Sequence, residues 1–132
     1  MSFLLDTNIC SARIRGAAHL THRFVQHGGR LFVPTVALGE LYTWAYRRDD
    51  PASVLHGVAE LLTEVQVLHY DQPCAEVYGR VRGQLLRQGL PVGPVDLMIA
   101  SVALAHDLTL VTHNTADFGN IPGVRLEDWL AS

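Results

Sequence analysis

The sequence predicts an α/β fold, a three-layer α/β/α sandwich around a central, mostly parallel sheet of four to five strands. Two patterns support this prediction. Short apolar runs alternate with segments of helical spacing along the chain, as in folds built from β-α-β units. The apolar runs also lack the alternation of a half-exposed strand, which indicates strands that helices cover on both faces.

The first half of the chain contains two of the predicted strands. Thr7 and Asn8 follow the first strand with side chains suited to begin a helix, and Gly28 and Gly29 end the next helix. Pro34 and Thr35 open a largely apolar helix. The predicted elements are a strand over 3–5, a helix from 7–8, a helix over 17–27, a strand over 31–33, and helices over 36–46 and 52–62.

The second half repeats the alternation. Its predicted elements are a strand over 65–68, a long helix from 73 that ends at 89–91, a helix over 95–106, a strand over 108–112, and a short fifth strand over 124–126. The Gly/Pro-rich stretch over 89–94 is too short to separate domains, so it is interpreted as a functional loop. A single domain over 1–132 is expected.

Composition excludes several classes of protein. Hydrophobic residues make up 48% of the chain and charged residues 17%, a balance typical of a compact globular body. All ten basic residues are arginine, and the missing lysine argues against P-loop nucleotide sites, haloacid-dehalogenase-type phosphatases and receiver domains. The net charge of −3 argues against a bulk electrostatic grip on nucleic acid. Arg13, Arg15, Arg47 and Arg48 are either phosphate contacts or solvated surface charge.

Location and cysteine chemistry can also be predicted. Cys10 and Cys74 lie far apart without a CxxC partner, so buried free thiols are expected and a zinc site is not. No apolar run approaches the ~20 residues of a membrane-spanning helix. The first residues reach an acid too soon for a signal peptide. A soluble, cytoplasmic protein without membrane contact is therefore expected.

Four acidic residues stand out. Asp6 ends the first predicted strand, Asp117 follows the fourth, and Asp96 begins an apolar helix, although each position also fits ordinary capping or turn formation. Glu40 differs, because its helical neighbours at three and four residues form a mostly apolar face. Its carboxylate must therefore meet a cation, stay protonated, or lie at the rim of a cleft. Together the four acids indicate one cluster that would hold Mg²⁺ or Mn²⁺.

The chain resembles the PIN-domain family, and specifically the VapC-type toxins of bacterial toxin–antitoxin pairs. The segments that carry the resemblance are 4–9, 34–41, 95–100 and 108–118, followed by 121–124 and Trp129. Two positions depart from the pattern: His113 stands where related toxins often have arginine, and Ala116 where they often have a charged residue.

The resemblance implies a metal-dependent endoribonuclease. Asp6 and Asp96 would be the main metal ligands, Glu40 a ligand or the residue that orients the attacking water, and Asp117 a second-site or water-mediated ligand. Asn114 would be a helper. The resemblance also implies an RNA substrate, a homodimer, and a small antitoxin whose tail blocks the site.

Two other functions remain open from the sequence. One is a catalytically silent binding module whose acidic pocket only contacts an arginine-bearing partner, and the other is a DNA-directed nuclease of the flap type. No metal-ligand motif such as HExxH is present, so six histidines are expected to be structural: His19, His22, His27, His56, His69 and His106.

Overall fold

The computed structural model describes residues 1–131. Its strands are β1 (Phe3–Leu5), β2 (Leu31–Pro34), β3 (Gln66–Leu68), β4 (Thr109–Val111) and β5 (Leu126–Glu127). Its α-helices are α1 (Thr7–Ile14), α2 (Thr21–Gln26), α3 (Thr35–Tyr46), α4 (Ala52–Glu64), α5 (Gln72–Gln88) and α6 (Pro94–Ala105). Within these residues no helix is both long and apolar enough to span a bilayer.

The five strands form one parallel sheet in the order β3-β2-β1-β4-β5. The central strand β1 pairs with β2 on one side, Phe3 opposite Leu31, and with β4 on the other, Leu5 opposite Val111. The chain therefore builds the sheet outward from β1 in one direction and then returns to build it in the other. This reversal makes the carboxyl ends of β1 and β4 the expected position of a ligand site.

The helices cover the sheet as the predicted α/β/α sandwich requires. Helices α1, α3 and α4 contact one another, and α5 packs along α6. The central strands β1 and β4 are buried because both faces are covered: Leu4, Leu5, Leu110 and Val111 have no exposed surface. Helix α6 is buried on most of its circumference, which explains why its sequence is apolar nearly all round.

Two predicted elements differ from the structure. The helix predicted over 17–27 is divided into a 3₁₀ turn, Ala18–Leu20, and the short helix α2. The apolar spacing of this segment reflects the burial of Leu20 and Phe24. These side chains can reach the core without a continuous α-helix. The fifth strand lies at Leu126–Glu127, so it begins two residues and ends one residue later than predicted. Its position follows from the pairing of Leu126 with Leu110 and of Glu127 with Val111.

Helix α1, which begins directly after Asp6, packs closely on α4 at a glycine. A Cβ atom at Gly57 would lie 2.5 Å from Cγ2 of Ile14. That methyl group sits on the β-branched carbon, so it has little freedom to rotate away. The glycine therefore sets how closely α1 approaches α4.

Gly57→Ala is expected to lower the free energy of unfolding by about 1–3 kcal/mol, because overpacking outweighs the better helix propensity of alanine. Gly79→Ala is the matched control, since that exposed position in α5 has no described heavy atom within 4 Å of an added Cβ. It should stabilise the protein by about 0.4–1 kcal/mol. Urea unfolding of both variants measures the difference, and equal stabilities would contradict the packing argument.

Candidate active site

Asp6 is the buried centre of the acidic site. It follows β1 directly, and only 5% of its surface is exposed. Its Oδ1 accepts a hydrogen bond from the backbone N–H of Thr7 at 2.8 Å, so Asp6 caps α1 as well as ending β1. Its Oδ2 accepts from Oγ1 of Thr112, also at 2.8 Å. Both carboxylate oxygens are thus fixed in orientation.

Glu40 lies at the rim of the site. It sits on the exposed side of α3, and its Oε1 accepts a hydrogen bond from Oγ1 of Thr7. The structure places this carboxylate at the protein surface, where Thr7 links it to Asp6. Thr7 thereby connects the buried and exposed acids, because its N–H holds Asp6 and its hydroxyl holds Glu40.

Asp96 and Asp117 complete the acidic side of the site. Half-buried Asp96 lies in the first turn of α6, and exposed Asp117 lies in a 3₁₀ turn, Thr115–Phe118, that follows β4. Both line an open cleft of about 450 Å³ together with Ala116 and the loop over 91–93. The Gly/Pro-rich loop, which the sequence predicts to be functional, thus contributes to the wall of this cleft.

The four acids influence one another electrostatically. Burial is the main cause that raises the pKa of Asp6, with smaller contributions from the charges of Glu40 and Asp117, against the lowering effect of its two hydrogen bonds. Burial also raises the pKa of Asp96, followed by the charges of Asp6, Asp117 and Glu40. The structure therefore brings together all four acids that the sequence singled out.

The donor chemistry of this cluster fits a hard divalent cation. Its ligands are carboxylate oxygens, which Mg²⁺ and Mn²⁺ prefer, and a cation would offset the burial and mutual repulsion of Asp6 and Asp96. Within residues 1–131, no three of these acids offer oxygen atoms that all lie within 4.8 Å of one another. Small side-chain rotations would have to accompany binding of a single ion by three of them.

Thr112 is the site residue that sequence reasoning missed. It follows β4 and is fully buried. Its hydroxyl donates to Asp6 and accepts from the backbone N–H of Asn114 at 3.1 Å and from Nδ2 of Asn8 at 3.4 Å. Asn8 also accepts from the N–H of His113 at 3.1 Å. Its position is the one sign of this role, since Thr112 directly follows β4 as Asp6 directly follows β1.

Arg13, Arg15 and His113 have intramolecular partners that sequence spacing did not reveal. Arg13 pairs with Glu64 at 2.7 Å, and the guanidinium of Arg15 lies 4.8 Å from the ring centre of Trp44. Arg47 and Arg48 are exposed. His113 lies 3.1 Å from Asp128.

The raised pKa values of Asp6 and Asp96 predict how the metal-free protein responds to pH. Above the ordinary pKa of 3.8, the folded chain holds these protons more tightly than the unfolded chain. Their contribution to stability therefore falls as pH rises from 3.8 through the folded-state values, then stays constant. The test compares the melting temperatures of wild type and the Asp6→Asn/Asp96→Asn double variant in the presence of chelator. As pH rises through this range, the melting temperature of the variant should increase relative to that of wild type. A difference independent of pH would contradict the shifts.

Comparison with known proteins agrees with this geometry. The family model "PIN domain" matches residues 3–124. The tRNA(fMet)-specific endonuclease VapC of Shigella flexneri is 38% identical over 130 residues, which cover 98% of each chain. Ribonuclease VapC2 of Haemophilus influenzae (strain ATCC 51907 / DSM 11121 / KW20 / Rd) is 29% identical over 98% of this chain and 99% of its own.

Solved structures of similar chains share this fold. The DNA-bound VapBC of Salmonella typhimurium contains a chain with a TM-score of 0.92 and 38% identity, covering 98% of both chains. VapBC2 of Rickettsia felis, bound to a promoter DNA fragment, gives a TM-score of 0.91 at 28% identity, covering 98% of this chain and 99% of that one. With a family match from residue 3 to residue 124 and relatives that align along nearly the whole length, this protein belongs to the PIN-domain family, in its VapC branch.

Proposed function

We propose that this protein is a Mg²⁺- or Mn²⁺-dependent endoribonuclease, the toxin of a toxin–antitoxin pair, and that the 132 residues act as one PIN domain. The observation that carries the proposal is the buried carboxylate of Asp6, held by Thr7 and Thr112 beside three further acids at the carboxyl ends of β1 and β4. A buried negative charge next to other acids is costly unless a cation joins it. Relatives named as endonucleases and ribonucleases support RNA as the substrate.

Each acid has a distinct task in this proposal. Asp6 and Asp96 hold the metal, because they are the two most enclosed carboxylates of the four. A divalent cation held there would lower the pKa of water and stabilise the charge that develops on the phosphate. Glu40, exposed and oriented by Thr7, accepts a proton from the attacking water. Asp117 provides a second-site or water-mediated contact from the cleft wall, with Asn114 as a helper.

The RNA is proposed to be the initiator tRNA, since two relatives that are 38% identical are named tRNA(fMet)-specific endonucleases. Such a protein would act in the cytoplasm, where Cys10 and Cys74 would not form disulfides. The VapBC complexes among similar structures support a protein antitoxin as partner. An antitoxin tail that carries arginine would suit the acidic cleft. A homodimer is proposed as well, and light scattering of the purified chain tests it.

The function is tested with purified protein freed of any partner. It is incubated with initiator tRNA, elongator methionine tRNA and single-stranded DNA, each with Mg²⁺, with Mn²⁺ and with chelator. Cleavage of the initiator tRNA that needs metal and leaves the DNA intact supports the proposal. Cleavage of both tRNAs would support ribonuclease activity but contradict the proposed specificity for initiator tRNA. Cleavage of the DNA at the same rate as the tRNA would favour the DNA-directed nuclease. Cleavage of none of the substrates would favour the catalytically silent binding module.

A further inference from the structure

Three metal-ligating side chains of different types meet outside the acidic site. Asp71, Cys74 and His106 each offer one potential ligand atom, and these atoms all lie within 4.8 Å of one another. Among the residues that the structure describes, this is the only such group of three or more. Asp71 caps the start of α5, Cys74 lies in its first turn, and His106 directly follows α6. The group thus joins the beginning of one helix to the end of its neighbour.

The group is separate from the proposed nuclease site. Asp96 lies in the first turn of α6, and His106 follows ten residues later, which places them about 15 Å apart along the helix axis. The proposed cleavage of RNA gives no task to Asp71, Cys74 or His106.

The arrangement leaves a cation room to approach. Asp71 and His106 are exposed and Cys74 is buried beneath them. One oxygen of Asp71 accepts from the N–H of Cys74 at 3.3 Å, and the second oxygen of the carboxylate remains a potential ligand. Rotation of the exposed Asp71 and His106 side chains can adjust the ligand atoms to bonds of about 2.0–2.3 Å to one ion.

We propose that Asp71, Cys74 and His106 form a binding site for Zn²⁺, with water in the fourth position. Thiolate and imidazole ligands favour zinc, whereas the carboxylates around Asp6 favour Mg²⁺ or Mn²⁺, so the two sites select different metals. Binding converts the Cys74 thiol to a thiolate and releases its proton to solvent. The site does not depend on the proposed nuclease function.

A metal ion at this site would link α5 to α6. These helices pack along each other, and the loop between them contributes residues 91–93 to the wall of the acidic cleft. A metal that holds the start of α5 against the end of α6 stabilises the helix pair, because it binds the folded chain in preference to the unfolded one. Zinc is therefore expected to raise the melting temperature.

The test uses the full chain after removal of metal. Co²⁺ is added as a spectroscopic substitute for zinc, because only a thiolate ligand produces the sulfur-to-cobalt charge-transfer band. This band distinguishes the proposed site from the all-oxygen site at Asp6, which also binds divalent cations. Cys74→Ser removes the thiolate, and Cys10→Ser is the matched control, since Cys10 is the other buried cysteine. His106→Asn removes an exposed ligand without disturbing the core, with His56→Asn as its control.

We expect the band to saturate at one Co²⁺ per chain in wild type, Cys10→Ser and His56→Asn, and to be lost in Cys74→Ser. In His106→Asn the affinity should fall by more than about tenfold, since even loss of an outer-shell partner costs that much. Zinc should raise the melting temperature of wild type but not of Cys74→Ser. Absence of the band in wild type, its persistence in Cys74→Ser, or equal affinities of His106→Asn and His56→Asn would overturn the proposal.

Discussion

Asp6→Asn is expected to lower the rate of RNA cleavage by more than about 100-fold, since a direct metal ligand should matter more than an outer-shell partner, whose loss costs 10–100-fold. The substitution preserves shape and the capping bond from Thr7, so the fold should be kept. It removes the one carboxylate that is buried and fixed through both oxygens. Cleavage rates at saturating Mg²⁺ and Mn²⁺ measure the effect.

Asp49→Asn is the control for this experiment. It removes the same charge from an exposed position in the turn between α3 and α4, and its cleavage rate should equal that of wild type. Circular dichroism of both variants confirms that they are folded. If Asp6→Asn cleaves RNA within tenfold of the wild-type rate, the acidic cluster is not the site of hydrolysis.

Thr112→Val should be the next most damaging substitution, with an expected loss of about 10–100-fold in cleavage. Valine keeps the volume but removes the hydroxyl that donates to Asp6 and accepts from Asn114 and Asn8. Leaving the buried Oδ2 of Asp6 unpaired should also cost about 1–3 kcal/mol of stability. Because Thr112 acts through Asp6, the metal concentration that gives half-maximal activity should rise.

Two variants separate this positioning role from a general loss of stability. Thr112→Ser retains the hydroxyl and should restore both the metal dependence and most of the activity. Thr109→Val makes the same chemical change on β4, where the hydroxyl accepts only a 3.4 Å bond from Arg125. It should leave the metal dependence unchanged. An unaltered metal dependence in Thr112→Val would show that the hydroxyl does not position Asp6.

The sequence predicted the sheet and most helices because their signals are local. Leu4 and Leu5 belong to an apolar run that stops at a capping residue, and Gly89 ends α5 in the left-handed conformation that glycine favours. The helix predicted over 17–27 was wrong in detail because apolar spacing reports which residues are buried and not how the backbone connects them. Leu20 and Phe24 are indeed in the core.

The acids of the candidate site were accessible to sequence reasoning for a related reason. Asp6 lies at the carboxyl end of a predicted parallel strand, and Glu40 interrupts a largely apolar stretch of sequence, although it lies on the exposed side of α3. Their roles stay predictions, but the structure does bring them together with Asp96 and Asp117. Thr112 was missed because a threonine at a strand end is common and only its three-dimensional contacts distinguish it. Asp71, Cys74 and His106 were missed because they meet only through the packing of α5 on α6.

The strand order also determines when, during synthesis of the chain, the acidic site can form. The pair Asp6 and Thr112 joins positions 106 residues apart, across β1 and β4. Asp96 and Asp117 likewise enter late, after the chain has built β2 and β3 on the far side of β1. Long-range contacts of this kind form only once both partners exist. A ribosome that makes this protein therefore works beside a chain without an assembled nuclease site until residues 112–117 have been synthesised.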